Sequence, residues 1–213
     1  MAPKPTPCLA PLNPKKRMRR IPTAVFLSGG GRTLENLLQH QDAGALPTDI
    51  RLVISSSASV RGVEIGRNAK IDTRVVLKSK HPSPESYCNA MFGPCRDVGA
   101  KLVVMAGFLK HVSIPADFAG RVINIHPSLI PAFAGEGMYG MNVHQAAIQR
   151  GVQFSGCTVH FVDNDYDHGP IILQRICPVP KGFTAEQLSA AVFELECEAL
   201  PEAIRLVAKS LED

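Results

Sequence analysis

The sequence contains no apolar run of the roughly 18 residues that a membrane span needs, so no membrane-spanning segment is expected. Its six cysteines, Cys8, Cys88, Cys95, Cys157, Cys177 and Cys197, form no C-x-x-C pair, and none has a partner at zinc-finger spacing. Zinc sites and redox dithiols are therefore not expected. Most of these thiols sit in apolar stretches and read as buried and reduced, as in a cytoplasmic protein. Met1 to Arg20 has no apolar segment of the kind a secretory signal carries. Basic excess is missing too, except at the start. The formal net charge is +4, but Lys15, Lys16, Arg17, Arg19 and Arg20 cluster ahead of the first apolar run. The remainder is near neutral, which leaves no general footprint for nucleic acid. What is present suits one globular domain: 213 residues, 45% hydrophobic and 20% charged, enough to bury one sizeable core.

Residues 1–22 are rich in proline and cations and have no apolar period, so they read as a flexible basic tail. The tract from Pro14 to Arg20 is of a kind that binds anionic surfaces or serves as an address, although a solvated tail is the plainer reading. The folded domain is expected over 23–213. Ala24 to Leu27, Leu52 to Ile54, Val75 to Leu77, Leu102 to Met105 and Val122 to Ile123 are short apolar runs that read as buried strands. They alternate with helical stretches: Leu34, Leu37 and Leu38 share one face, Val63 to Ala69 follow, and Ser83-Pro84 offers a cap and a first-turn proline. Strands and helices in alternation predict a parallel sheet covered on both faces, with right-handed crossovers. Cys157 to Val162 and Ile171 to Val179 are close strands joined by a polar turn, an antiparallel element for the sheet edge. Thr184 to Lys209 is the closing helix, with Pro201 as a candidate kink or break.

Two constellations carry chemistry. In Ser28-Gly29-Gly30-Gly31-Arg32-Thr33 a glycine turn follows a strand and opens a helix. Glycine permits positive φ and close approach, and the helix start offers unpaired amides and a partial positive charge, a cradle for phosphate. It is neither a P-loop nor G-x-G-x-x-G, and a plain turn explains it about as well. In Asn124-Ile125-His126-Pro127, residues two apart face the same way, so Asn124 and His126 project together from a strand end. Asp167, in the turn between the two late strands, can return a carboxylate to that end. An amide, an imidazole and a carboxylate suit acyl-type transfer to an amine: Asn124 or protonated His126 for an oxyanion, Asp167 for orientation or proton handling. No serine or cysteine sits with a base as a nucleophile, so direct transfer is simpler than a covalent route. Alone, either His126 or Asp167 would read as structural, and His40, His81 and His144 are read so.

The segments Leu27 to Leu34, Met105 to Leu109, Asn124 to Pro131, Thr158 to Val162 and Asp167 to Ile172 together resemble the folate-dependent formyltransferases, in particular the glycinamide ribonucleotide formyltransferase family, in order and spacing. The resemblance runs from about Thr23 to Leu206. It implies an α/β, Rossmann-like three-layer formyltransferase fold with a mostly parallel sheet and an antiparallel edge element. It implies 10-formyltetrahydrofolate as formyl donor, glycinamide ribonucleotide as acceptor in purine biosynthesis, and no metal. Asn124, His126 and Asp167 match the family's catalytic trio. Gly31, Arg32 and Thr33 match its phosphate loop, and Glu196 its ribose contact. Leu109, Lys110, His111 and Val112, with Asn124, Val162 and Asp163, match the folate pocket. No nucleic-acid or membrane partner is implied, and a monomer or homodimer in the cytoplasm is expected.

The departures are Gly30, Arg32 and Thr33, where the family often has Asn or Ser; Lys110-His111, where Arg precedes an apolar residue; Pro84, where some members have Arg; and a longer glycine-rich lip, Gly135 to Asn142. Formyltetrahydrofolate hydrolases share the trio but are expected to carry an N-terminal regulatory domain, and methionyl-tRNA formyltransferases a further C-terminal one. Sugar-nucleotide formyltransferases stay open, because the trio does not specify the amine. A non-catalytic nucleotide-binding module would keep the glycine loop but has no use for the trio.

Overall fold

A computed structural model describes residues 20–211. Apart from Arg20, Ile21 and Pro22, the basic tail expected over 1–22 lies outside the described residues, as does Cys8. The strands are β1 (Ile21–Leu27), β2 (Thr48–Ser55), β3 (Asp72–Val75), β4 (Leu102–Met105), β5 (Val122–His126), β6 (Phe154–Phe161) and β7 (Ile171–Pro178). The helices are α1 (Arg32–Asp42), α2 (Arg61–Asn68), α3 (Pro84–Asp97), α4 (Met141–Arg150) and α5 (Ala185–Ser210). One seven-stranded sheet results, ordered β3-β2-β1-β4-β5-β6-β7. Its first five strands are parallel, and β6 and β7 add an antiparallel edge. From β1 the chain winds outward to β3, then returns to lay β4 on the other side of β1. The switch of direction falls between β1 and β4, where the connecting loops part and leave a crevice at the strands' carboxyl ends.

Alternation along each strand sends side chains to two cores. Val25, Leu27, Val53, Val104 and Ile123 pack on one face with Leu34 and Leu37 of α1, Ala147 of α4 and Leu188, Val192 and Ile204 of α5. Ala24, Phe26, Leu52, Ile54 and Val103 pack on the other with Tyr87, Met91 and Phe92 of α3. Burial on both faces is why these strands read as continuous apolar runs. The described thiols are free; Cys88, Cys95 and Cys157 are buried, and Cys177 and Cys197 half-buried.

Three boundaries differ from the sequence expectation. The first strand begins at Ile21, ahead of the Ala24 to Leu27 run: Ile21 is buried, pairs with Thr48 and donates its amide to the Pro47 carbonyl. The third strand is Asp72–Val75 rather than Val75 to Leu77, because it is the sheet edge. There Asp72 and Arg74 pair in solvent and break the apolar pattern. And α5 is one 26-residue helix that contains Pro201 and does not break there. Proline inside a helix costs about 3 kcal/mol, but Pro201 lies in a turn whose neighbours Leu200, Ala203 and Ile204 are fully buried, and that packing offsets the loss. The caps agree with the sequence. The Ser83 hydroxyl accepts the Ser86 amide at the start of α3, and Thr184 forms a reciprocal capping box with Gln187 at the start of α5.

Candidate active site

The loops after β1, β4 and β5 open at the switch point around a cavity of 690 Å³. The glycine turn forms one end. Gly31 holds φ 75°, a left-handed conformation, and a Cβ there would meet the Gly62 Cα at 2.6 Å. Glycine is thus required for the bend and for the close approach of α2. Gly31 caps α1 with no side chain, so the first amides of the helix face the cavity uncommitted. Arg32 stands beside them, its guanidinium 4.0 Å over the Phe193 ring of α5. At the other end the segment after β4 meets the loop 162–167. The Asn164 side chain accepts the Ile114 amide, and the His111 ring donates to the Asn164 carbonyl at 3.0 Å. Asp163 accepts from the Asp165 amide and from His168 at 3.0 Å. Asp163, Asp165 and His168 place ligand-type atoms within 4.8 Å of one another, and of these the Asp163 and His168 side chains already bond each other across their own loop.

Between the two ends, the register of β5 against β6 pairs Asn124 with His160 and His126 with Thr158. The hydrogen bonds then fix protons by elimination. A carbonyl only accepts, so His160 Nδ1, 2.8 Å from the Phe161 carbonyl, carries a proton and Nε2 is left as an acceptor. Asn124 Nδ2, at 3.2 Å, is therefore its donor, which settles which way the amide faces. Burial pushes the His160 ring below its ordinary pKa, against the Phe161 carbonyl and Asp167, in keeping with a neutral ring. By the same argument His126 Nε2 donates to the Phe133 carbonyl at 2.8 Å, so a second proton on that ring sits on Nδ1. There it faces Asp167 Oδ2 at 3.4 Å. Asp167 holds φ 51°, accepts the Gly135 amide from the lip at 3.1 Å, and lies 3.7 Å from His160.

The formyl transferase family matches residues 21–204. The chain belongs to the formyl transferase family. The chloroplastic phosphoribosylglycinamide formyltransferase of Vigna unguiculata is 37% identical over 190 residues, which cover 88% of this chain and 61% of that protein. The phosphoribosylglycinamide formyltransferase of Haemophilus influenzae is 32% identical over 190 residues, 88% of this chain and 86% of that one. The crystal structure of glycinamide ribonucleotide transformylase 1 from Symbiobacterium toebii superposes with a TM-score of 0.85 at 36% identity, covering 93% of this chain and 92% of that chain. The chain spans 61%, 19% and 65% of the length of the first three curated relatives it matches.

The trio, Gly31, Arg32, Thr33 and Glu196, and Leu109, Lys110, His111, Val112, Val162 and Asp163 all line this one cavity. The glycine-rich lip from Gly135 onward closes one side. Sequence reasoning gave His160 no role, although it orients Asn124. It also gave none to Phe133, whose carbonyl orients His126, or to Phe193. It read His144 as structural, and His144 too lies in the cavity wall. One signal was available: once β5 and β6 are expected to be neighbours, Thr158 and His160 share a face two residues apart, as Asn124 and His126 do.

Burial raises the Glu196 carboxyl to about 7, while Arg32 pulls it down. A carboxyl raised on folding makes the native state bind a proton that the unfolded chain releases at a pH near 4.5. Its contribution to stability is thus favourable at low pH and fades as the pH climbs from there through about 7. Glu196→Gln should flatten that segment of the curve, narrowing the difference in melting temperature between pH 5.5 and pH 8. Thermal melts across that range check this, and an unchanged difference removes Glu196 as its source.

Proposed function

We propose that this chain transfers the formyl group of 10-formyltetrahydrofolate to the amine of glycinamide ribonucleotide, a step of purine biosynthesis. The observation that carries the reading is the convergence of Asn124, His126 and Asp167, with protons fixed by their neighbours, between an anion-ready helix start and an apolar cleft. The likeness to relatives named for that reaction supports it. The acceptor's phosphate lies on the uncommitted amides of α1 and Arg32, and its ribose reaches Glu196. The folate lies between the 109–112 segment and the 162–167 loop.

The acceptor nitrogen attacks the formyl carbon, a C–N bond forms, and negative charge gathers on the formyl oxygen. Asn124 has one N–H committed to His160 and the other free for that oxygen, and His126 offers Nδ1–H from the other side. Asp167 faces that Nδ1 edge at 3.4 Å and takes up the amine's proton through water. The bond to the folate nitrogen then breaks, and that nitrogen receives a proton, so one proton is lost and one gained. These steps use an amide, an imidazole and a carboxylate and route nothing through a metal. The cytoplasm is the compartment this reading assigns.

Incubation with 10-formyltetrahydrofolate and glycinamide ribonucleotide, followed by the absorbance of the deformylated folate, tests the assignment. Product that forms only with the ribonucleotide supports it. Product without an amine would make water the acceptor, and product only with a sugar nucleotide would replace the substrate. Arg32→Ala should raise KM for the ribonucleotide about tenfold or more, the worth of a charge-assisted hydrogen bond, and leave folate affinity in place. An unchanged ribonucleotide KM takes Arg32 out of the phosphate site.

A further inference from the structure

His144 is unexplained by packing. It sits in the first turns of α4, retains 4% of its surface and lines the same cavity as His126. Its Nδ1 is buried with no hydrogen-bond partner among the described residues, one of two such side-chain atoms. A buried polar atom left unpaired opposes folding, and an apolar ring of the same shape would serve the core better. The other ring nitrogen, Nε2, is not a buried orphan and makes no protein hydrogen bond among the described residues, which leaves it on the cavity side. A histidine kept at a position where the fold gains nothing from its nitrogens is there for something that enters the cavity.

Which occupant it meets follows from the layers. The sheet splits the crevice in two. The donor cleft belongs to the α3 side, since Phe108, Val112 and Val162 join the core that contains Tyr87, Met91 and Phe92. The acceptor cleft belongs to the opposite side, whose cover is α1, α4 and α5; there Ala147, one turn beyond His144, packs in the core with Leu188 and Val192. From that same α5 surface Ser189, Phe193 and Glu196 reach the cavity. His144 therefore stands on the acceptor side, near enough to His126 that the two repel when charged. The phosphate end of the acceptor is at the glycine turn, so the group near His126 is its other end.

We infer that His144 is a further substrate-binding residue of this site, its Nε2 hydrogen-bonding the glycinamide end of the acceptor and holding the amine toward the formyl carbon. Burial, and after it the charge of His126, lowers its pKa and keeps the ring neutral, so it neither repels an amine nor takes its proton permanently. The inference rests on the proposed acceptor.

The experiment measures equilibrium binding of glycinamide ribonucleotide and, separately, of tetrahydrofolate to the full chain and to two variants. His144→Phe keeps the ring and removes both nitrogens; His144→Gln keeps a polar group at similar reach. The expected result has three parts. His144→Phe binds the ribonucleotide on the order of tenfold more weakly, the worth of one hydrogen bond to a ligand. Its tetrahydrofolate affinity and melting temperature are equal to or above those of the unaltered chain, because the orphan nitrogen is gone. His144→Gln recovers part of the loss. Unchanged ribonucleotide affinity in His144→Phe overturns the inference. So does parallel loss of both ligands with a fall in melting temperature in both variants, which makes His144 a packing residue. If the unaltered chain itself does not bind the ribonucleotide, the acceptor assignment is what fails.

Discussion

Replacing Asp167 with Asn is expected to lower kcat about a hundredfold or more, the scale on which acid–base and charge-stabilising groups act. The substitution is mild for the fold. Asp167 holds a positive φ, and Asn is among the few residues that accept that conformation. Its amide oxygen can still receive the Gly135 amide that Oδ2 receives now. What goes is the negative charge 3.4 Å from His126 Nδ1. Nε2 of that ring is committed to the Phe133 carbonyl, so in the proposed mechanism the ring offers the formyl oxygen its Nδ1 edge, which Asp167 faces. Without the carboxylate that ring edge loses its facing charge, and the amine loses its proposed route for releasing a proton. Binding of either substrate should change far less than kcat. Because His126 and Asp167 act as a pair, adding His126→Ala to Asp167→Asn should cost little beyond the worse single change. Steady-state kinetics and equilibrium binding on the two single variants and the double variant decide this. Near-full kcat in Asp167→Asn, or losses that simply multiply, would dissolve the joint mechanism.

The sequence made the architecture readable where both faces of a strand are buried, because an apolar run bounded by glycine needs no partner to be recognised. It was least informative at the edges. The outer strand at Asp72–Val75 carries an exposed Arg–Asp pair that breaks its pattern, and local propensity at Pro201 says stop where the packing of α5 says continue. The candidate site divided in the same way. Asn124 and His126 announce themselves by a two-residue spacing on one strand, and the glycine turn by its composition. His160 stands 36 positions from its partner Asn124 and meets it only through the β5–β6 register. The Phe133 carbonyl that sets the His126 tautomer is backbone, and backbone groups leave no trace in residue identity. An unpaired ring nitrogen such as that of His144 is visible only once the surroundings are known to offer it nothing.

Asn124→Asp should be comparably damaging, at about a hundred- to a thousandfold in kcat, the usual consequence of losing an oxyanion donor. Volume barely changes; what changes is the sign of the hydrogen bonds. The amide now spends one N–H on His160 Nε2 and leaves the other for the formyl oxygen. A carboxylate has neither. It would set lone pairs against the lone pair of His160, add a second negative group beside Asp167, and repel the charge developing on the formyl oxygen. The structure also predicts an order among variants. His160→Phe removes the acceptor that aims the amide, together with the donor to the Phe161 carbonyl, so Asn124 keeps both its own donors but loses its fixed direction. That variant should lose on the order of tenfold in kcat, well short of Asn124→Asp. Ribonucleotide binding in the ground state should stay close to normal in both, because the oxyanion donor is needed only as charge builds; folate binding should stay so in His160→Phe, whereas Asn124 itself is matched to the folate pocket. Measuring kcat and both dissociation constants for the two variants side by side tests the ordering. Full activity in Asn124→Asp would remove the amide as the oxyanion donor. A His160→Phe defect as large as that of Asn124→Asp would make His160 more than an orienting group, and would move the proton accounting from His126 to the second imidazole.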